Sequence, residues 1–162
     1  MGKASARIEV TGPISEAEDL WYDPTRWPAF VEGFAHVVKQ EGEWPKPGAR
    51  IVWDSVRDGR GRVVEKVRSH ETRVSQTVEV EDPKLHGVQT VTFEAKTDPP
   101  RTELKVELQY TLKGATFGGP IVDMLFVRRA LTDSLRKTLM RFRRELEAER
   151  EYVASQVARP RG

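Results

Sequence analysis

The sequence predicts an α+β fold: a curved antiparallel sheet of about seven strands wrapped around one long C-terminal helix, with two short helices after the first strand. Three observations predict it. Segments from Arg50 to Leu112 alternate apolar and polar residues with a period of two, separated by short turn signals. After Gly118-Gly119-Pro120 no proline recurs until Pro160 and no glycine until Gly162, and apolar residues there recur at helical spacing. Between the first strand and the meander lie two helix-start signals, Ser15-Glu16-Ala17-Glu18 and Asp23-Pro24.

Arg7-Ile8-Glu9-Val10 alternates as a first strand, and Gly12-Pro13 stops it. Ser15 and Glu18 fit a capping box, with Ser15 capping free amides and Glu18 reaching back. The helix they open buries Ala17, Leu20 and Trp21. Asp23-Pro24 caps a second brief helix through Trp27 to Val31, ended by Gly33. His36 to Glu41, Arg50 to Val56 and Arg62 to Arg68 are strands, the last two joined at the Asp58-Gly59 hairpin signal. Val74, Gln76, Val78 and Val80 share one face of the next strand. Gln89, Val91, Phe93 and Ala95 share a face of its neighbour, and Leu104, Val106, Leu108, Tyr110 and Leu112 a face of the last. Ile121, Leu125, Arg128, Thr132, Leu135, Leu139, Phe142 and Leu146 mark the apolar side of the final helix, whose stripe fades after Leu146. Residues 1–150 therefore read as one domain, and 151–162 as a frayed or projecting end.

Composition excludes several functions. The chain of 162 residues has room for one core. It has no cysteine, hence no disulfide, thiolate metal site or cysteine nucleophile. Its three histidines, His36, His70 and His86, have no metal-ligand spacing, so no metal is expected. No P-loop or dinucleotide fingerprint is present, and no cofactor is expected. Ser15, Ser55, Ser69 and Ser75 sit in no nucleophile-elbow motif. No apolar run is long enough to span a bilayer, and Met1 to Ala6 lacks the apolar core of a secretion signal, so a cytoplasmic protein is expected. Residues 126–162 carry ten basic and five acidic residues, a net of +5, while the remainder nets −3. Interleaving of Arg143 and Arg144 with Glu145 and Glu147 favours pairing along the helix over nucleic-acid binding. This helix remains an alternative interaction module, for a partner or an anionic surface. Beyond Leu146 it can also pair with its own copy in a homodimer, although its heptads are too few for a coiled coil.

The order of elements, with Ile14-Ser15-Glu16-Ala17, Leu20-Trp21, Asp23-Pro24-Thr25-Arg26-Trp27-Pro28-Ala29-Phe30-Val31, Pro47-Gly48 before Trp53, and the closing Leu139 to Glu147, resembles the polyketide cyclase/dehydrase branch of the START-like, Bet v 1-like (SRPBCC) superfamily. The resemblance runs from Arg7 to about Glu149. It implies a helix-grip fold with a cavity between sheet and helix for a lipid, polyketide, sterol or aromatic metabolite. It also implies that the Trp27 segment covers the cavity mouth. Members include cyclases, hydrolases and simple carriers, so fold alone does not choose. The first expectation is binding or transport of an apolar or aromatic small molecule, and the alternative is a cyclase or dehydratase acting in the same cavity.

An apolar pocket needs a few polar groups to orient its ligand. Gln76, Gln89, Tyr110, Arg128 and Thr132 interrupt otherwise apolar faces. Each has a structural alternative: Gln76 can bond a neighbouring strand, Tyr110 can reach the surface, Arg128 can snorkel to solvent and Thr132 can simply pack. Trp27, Phe30, Trp53, Phe93 and Met124 are candidate apolar walls, or ordinary core. For catalysis the candidates are Arg128 and Tyr110, which the family resemblance would allow to act together, and His36 as a titrating group beside the lid.

Overall fold

The computed structural model describes residues 1–114 and 120–160, with side chains for all of these except 120–124. The elements run β1 (Gly2–Thr11), α1 (Ile14–Trp21), a 3₁₀ turn (Pro24–Arg26), α2 (Trp27–Phe30), β2 (Phe34–Glu41), β3 (Arg50–Ser55), β4 (Arg62–Glu71), β5 (Ser75–Glu81), β6 (Leu85–Lys96), β7 (Arg101–Leu112) and α3 (Pro120–Ala158). All seven strands form one antiparallel sheet in the order β1-β7-β6-β5-β4-β3-β2. Successive hairpins build β2 to β7, and β1 closes the far edge against β7. This is the predicted helix-grip architecture.

Curvature has a local cause. The β2–β3 pairing shifts register between Phe34 and His36 and again between Val37 and Lys39, and β4–β5 shifts between Val67 and Ser69. Each bulge adds a residue to one strand and bends it, so the sheet curls around what lies on its inner face. That face carries Ile51, Trp53, Val63, Val67, Val78, Val80, Val91, Leu104 and Val106, all buried. They pack against Leu139, Phe142 and Leu146 of α3 and against Ala17, Leu20, Trp27 and Phe30 of the short helices.

Several local expectations are corrected. β1 begins at Gly2 rather than Arg7, because its inward residues there, Gly2 and Ala4, are too small to announce a face. The capping box does not form. Pro13, extended at ψ 159°, is the N-cap, Ser15 falls inside the first turn, and no side chain caps the helix. Glu18 turns instead to the backbone N–H of Arg73, 2.5 Å away, in a turn where Arg73 has φ 68°. That turn takes Val74 out of the strand and leaves it exposed. Asp23 does cap the next turn as expected, accepting from Thr25 N at 3.0 Å. The Gly118-Gly119 break lies outside the described residues.

The apolar seam of α3 also differs from expectation. Leu125 is exposed, as are Arg128 and Arg129, while Val127 and Leu131 face the sheet beside Leu135. The seam follows an i, i+4 ridge, Val127–Leu131–Leu135–Leu139, which drifts about 40° per step around the helix. The expected series Leu125–Arg128–Thr132 lies one ridge away and meets the seam only at Leu135. Beyond Leu146 the helix continues to Ala158 with Tyr152, Val153 and Val157 exposed. Among the described residues no helix is long and apolar enough to cross a membrane.

The short helices are fastened to α3 by charge. Arg26 reaches Glu145 at 2.7 Å and Glu149 at 3.5 Å, Arg141 reaches Glu32 at 2.5 Å, and Arg150 meets Glu16. The backbone N–H of Glu32 also donates to Thr138 Oγ1 at 3.0 Å. Basic residues of α3 thus face the lid segment as ion-pair partners, whereas the pairing expected along the helix, of Arg143 and Arg144 with Glu145 and Glu147, is not among the ion pairs of the described residues.

Candidate functional site

An internal cavity of about 80 Å³ opens between the inner sheet face, the short helices and α3. Its apolar wall is mostly aromatic: Trp21, Trp27 and Phe30 from the short helices, Trp44 from the β2–β3 loop, and Trp53 from β3. Trp27 stands edge-on to Trp44 at 5.6 Å and to Phe34 at 6.0 Å, and its indole N–H donates to Trp21 O at 2.9 Å. Phe30 lies between Trp21 at 5.8 Å and Phe142 at 5.2 Å. These rings are locked into one another, which explains why so little empty space remains.

The opposite wall is polar. Val63, Glu65 and Val67 share the inner face of β4, so strand alternation itself carries a carboxylate inward. Glu65 Oε2 accepts from the Trp53 indole N–H at 3.0 Å. Desolvation pushes the Glu65 carboxyl above the ordinary glutamate value, against the opposing pull of the Trp53 hydrogen bond and the Arg60 charge. Arg60 enters from the β3–β4 hairpin. Its Nε donates to Asp82 Oδ2 at 2.8 Å, and its guanidinium carbon lies 5.9 Å from the centre of the Trp53 ring. Asp82 is itself committed, since its Oδ1 accepts from the N–H groups of Lys84 at 2.8 Å and Leu85 at 2.9 Å. The Arg60 Nη2 group is buried and has no hydrogen-bond partner among the described residues. Gln76 and Gln89 complete this wall, and Gln76 Nε2 donates to Pro45 O at 3.1 Å. On the α3 side the cavity meets Ser134, Leu135 and Thr138.

Of the residues singled out from sequence, Trp27, Phe30, Trp53, Gln76 and Gln89 lie together at this cavity. Phe93 is buried beside Tyr22, 5.9 Å between rings, and does not line it. Tyr110 belongs to a separate apolar cluster with Ala4, Leu85 and Leu108, where its hydroxyl is buried. Arg128 and Thr132 line an open groove on α3 with Leu125 and Arg136, away from the cavity, and Thr132 Oγ1 donates to Arg128 O at 2.8 Å. Their displacement follows from the seam shift described above. His36 is exposed and 3.6 Å from Asp54, at the edge strand. The Met124 side chain lies outside the described residues. His36 is thus apart from the other two catalytic candidates, while the Arg128 charge reaches Tyr110, where it opposes the desolvation that raises the phenol pKa.

Sequence reasoning missed Arg60 and Glu65. The signal for Glu65 was present: a carboxylate in phase with Val63 and Val67 breaks an inward face just as Gln76 breaks its own. Arg60 carried no such signal, because hairpin residues have no periodicity. A second polar cluster was also unannounced. Tyr22 and His70 meet edge-on at 5.2 Å, and both Tyr22 OH and His70 Nε2 are buried without a partner among the described residues. Burial, and then the charge of Glu18, keep the Tyr22 phenol protonated well above its ordinary range. Among the described residues no group of three or more His, Cys, Asp or Glu is placed to hold a metal ion.

Comparison with known proteins agrees with this architecture. Residues 1–147 match the family described as "Polyketide cyclase / dehydrase and lipid transport". No curated protein matches the chain. Among solved structures, TTHA0849 of Thermus thermophilus superposes with a TM-score of 0.72 at 18% identity, covering 91% of this chain and 98% of that one. A START superfamily protein of Mycobacterium smegmatis gives 0.70 at 13% identity, covering 91% and 99%. DynU16, described as a putative protein in the dynemicin biosynthetic locus, gives 0.60 at 17% identity, covering 91% of this chain and 48% of that one. At these identities the likeness is one of fold.

Proposed function

The chain belongs to the polyketide cyclase / dehydrase and lipid transport family, and on that footing we propose that it binds an apolar or aromatic small molecule in the cavity between sheet and α3. The observation that carries this reading is the division of the cavity into an aromatic wall (Trp27, Phe30, Trp44, Trp53) and a polar wall (Arg60, Glu65, Gln76, Gln89). A core that served packing alone would not hold a desolvated carboxyl and an unpaired guanidinium N–H at one void, because both are costly where nothing answers them. The aromatic wall supplies stacking area, and the polar wall orients.

The cavity of about 80 Å³ is smaller than the roughly 150 Å³ that accommodates benzene in an engineered apolar site. Ligand entry therefore requires the short helices or their rings to move, and the ion pairs of Arg26, Arg141 and Arg150 are what resist that motion. Native mass spectrometry of the purified protein, with identification of any molecule released on denaturation, tests the reading directly. A bound lipid or aromatic metabolite is the expected result. A protein that is clean and also leaves a fluorescent hydrophobic probe unbound would overturn it.

A cyclase or dehydratase reading is favoured by one observation, the Glu65 carboxyl held toward its protonated form beside the cavity, where it could donate a proton to a bound carbonyl. On that reading Glu65→Gln keeps ligand affinity and loses turnover. A carrier keeps its affinity and has no turnover to lose.

A further inference from the structure

Resting on the cavity reading above, we propose that the ligand bears a carboxylate, held by Arg60 Nη2 at the polar wall. Three features of the wall point to this head group. First, Arg60 is already bound on one side only. Its Nε is fixed by Asp82 at 2.8 Å, while Nη2 is buried and unpartnered among the described residues. A guanidinium held in place with one N–H group unanswered is preorganised for a second oxygen acceptor. Second, the protein's own acids are accounted for: Asp82 uses its other oxygen on Lys84 N and Leu85 N, and Glu65 accepts from Trp53 through Oε2. Among the described residues Arg60 has no ion-pair partner other than Asp82. Third, Trp53 joins the two groups, with Glu65 on its indole nitrogen and the Arg60 guanidinium over its ring. A flat apolar body against Trp53 would thus meet both groups at one end.

A carboxylate suits this guanidinium better than a carbonyl or an alcohol. It offers acceptor oxygens to the unanswered Nη2 N–H groups, and a charge-assisted hydrogen bond to a guanidinium already fixed in place is stronger than one to a neutral acceptor. A hydrocarbon leaves Nη2 as unsatisfied as before.

The test is a matched pair of probes, 2-naphthoate and 2-naphthamide, which share size and shape and differ in charge. Their affinities are measured by isothermal titration calorimetry at pH 7 for the intact protein and for Arg60→Met. A charge-assisted hydrogen bond predicts that naphthoate binds about 10- to 100-fold tighter than naphthamide. It also predicts that Arg60→Met abolishes the preference, so that the ratio of the two affinities falls to about one. Arg60→Lys, which keeps the charge near Asp82 and removes Nη2, serves where the methionine variant does not fold, and it shrinks the preference. Equal binding of the two probes by the intact protein sinks the carboxylate assignment and leaves the cavity standing. A preference that survives both substitutions likewise refutes it, because the charge would be read elsewhere. If neither probe binds, the cavity reading falls and this inference falls with it.

Discussion

Removing the Trp27 indole tests whether crowding by aromatic rings is what keeps the cavity small. Trp27 is 6% exposed, meets Trp44 and Phe34 edge-on, and donates to Trp21 O at 2.9 Å. Truncating such a buried aromatic to alanine costs about 3–5 kcal/mol, edge contacts and cavity term included. For a domain of this size, about 2–4 °C is lost per kcal/mol, so the melting temperature of Trp27→Ala falls by roughly 6–20 °C. The same change joins the space of the indole to the existing 80 Å³, carrying it past the roughly 150 Å³ that admits a benzene ring. A neutral aromatic such as 2-naphthamide should then bind the variant more tightly than the parent. At a hundred times its dissociation constant it restores about 2.7 kcal/mol, or roughly 5–11 °C of melting temperature. Thermal melts of both proteins with and without the probe read the two effects together. Should the parent gain as many degrees from the probe as the variant does, the rings are not the obstacle. The cavity would then open at little cost, contrary to the argument made from its volume.

Three further outcomes are expected. Burial raises the Glu65 pKa, so the folded state holds this proton more tightly than the unfolded chain; the contribution to stability is complete below the ordinary glutamate value and is lost as pH rises through the raised folded value. Glu65→Gln keeps an acceptor for Trp53 and removes that loss, so urea titrations should show it gaining on the parent from about pH 4.3 upward, and a parent-minus-variant difference that is flat with pH would refute the desolvation. Gly87 on β6 pairs with Tyr110, and a Cβ there would strike the backbone carbonyl of Gln109, with Tyr110 Cα at 3.0 Å; Gly87→Ala should cost about 1–3 kcal/mol by chemical denaturation, and an unchanged midpoint would mean that β6 and β7 separate easily. Arg128→Met should leave 2-naphthamide affinity unchanged by calorimetry, since Arg128 lies in an exposed groove; a loss of more than about threefold would place the ligand at the other end of α3.

The strands and the two ends of the cavity were legible from sequence to different degrees, for one physical reason. A strand has a strict period of two, so Gln76 among Val78 and Val80, and Trp53 in phase with Ile51, could be assigned to the inner face at once. A helix has no such strictness. Its i+3 and i+4 neighbours both count as the same side, and going back over the ten residues from Leu135 to Leu125 the error grew to a whole ridge. That is why Arg128 and Thr132 were expected inside and lie outside. The capping box failed for another reason: Ser15 and Glu18 have the right spacing, but Glu18 found a stronger demand in the Arg73 amide, fifty-five residues away in sequence. A long-range bond to a backbone donor in a left-handed turn replaces the local cap here, and no short window of sequence contains both partners.

The placement of polar groups then becomes an argument about function. At the β1–β7 side, Ala4, Leu85, Leu108 and Tyr110 pack with Val127, Leu131 and Leu135 into an apolar cluster. On the β3–β6 side the same inner face holds Glu65, Gln76 and Gln89, with Arg60 and Asp82 closing the rim. One sheet, with one alternation rule, thus carries apolar fill on one flank and a concentrated set of donors and acceptors on the other. Stability alone gives no reason for the difference, since replacing buried charged groups by apolar residues of similar volume is commonly neutral or stabilising. The cost is borne where the lid helices, their tryptophans and the curled strands converge, which is where a molecule entering between sheet and helix would have to stop.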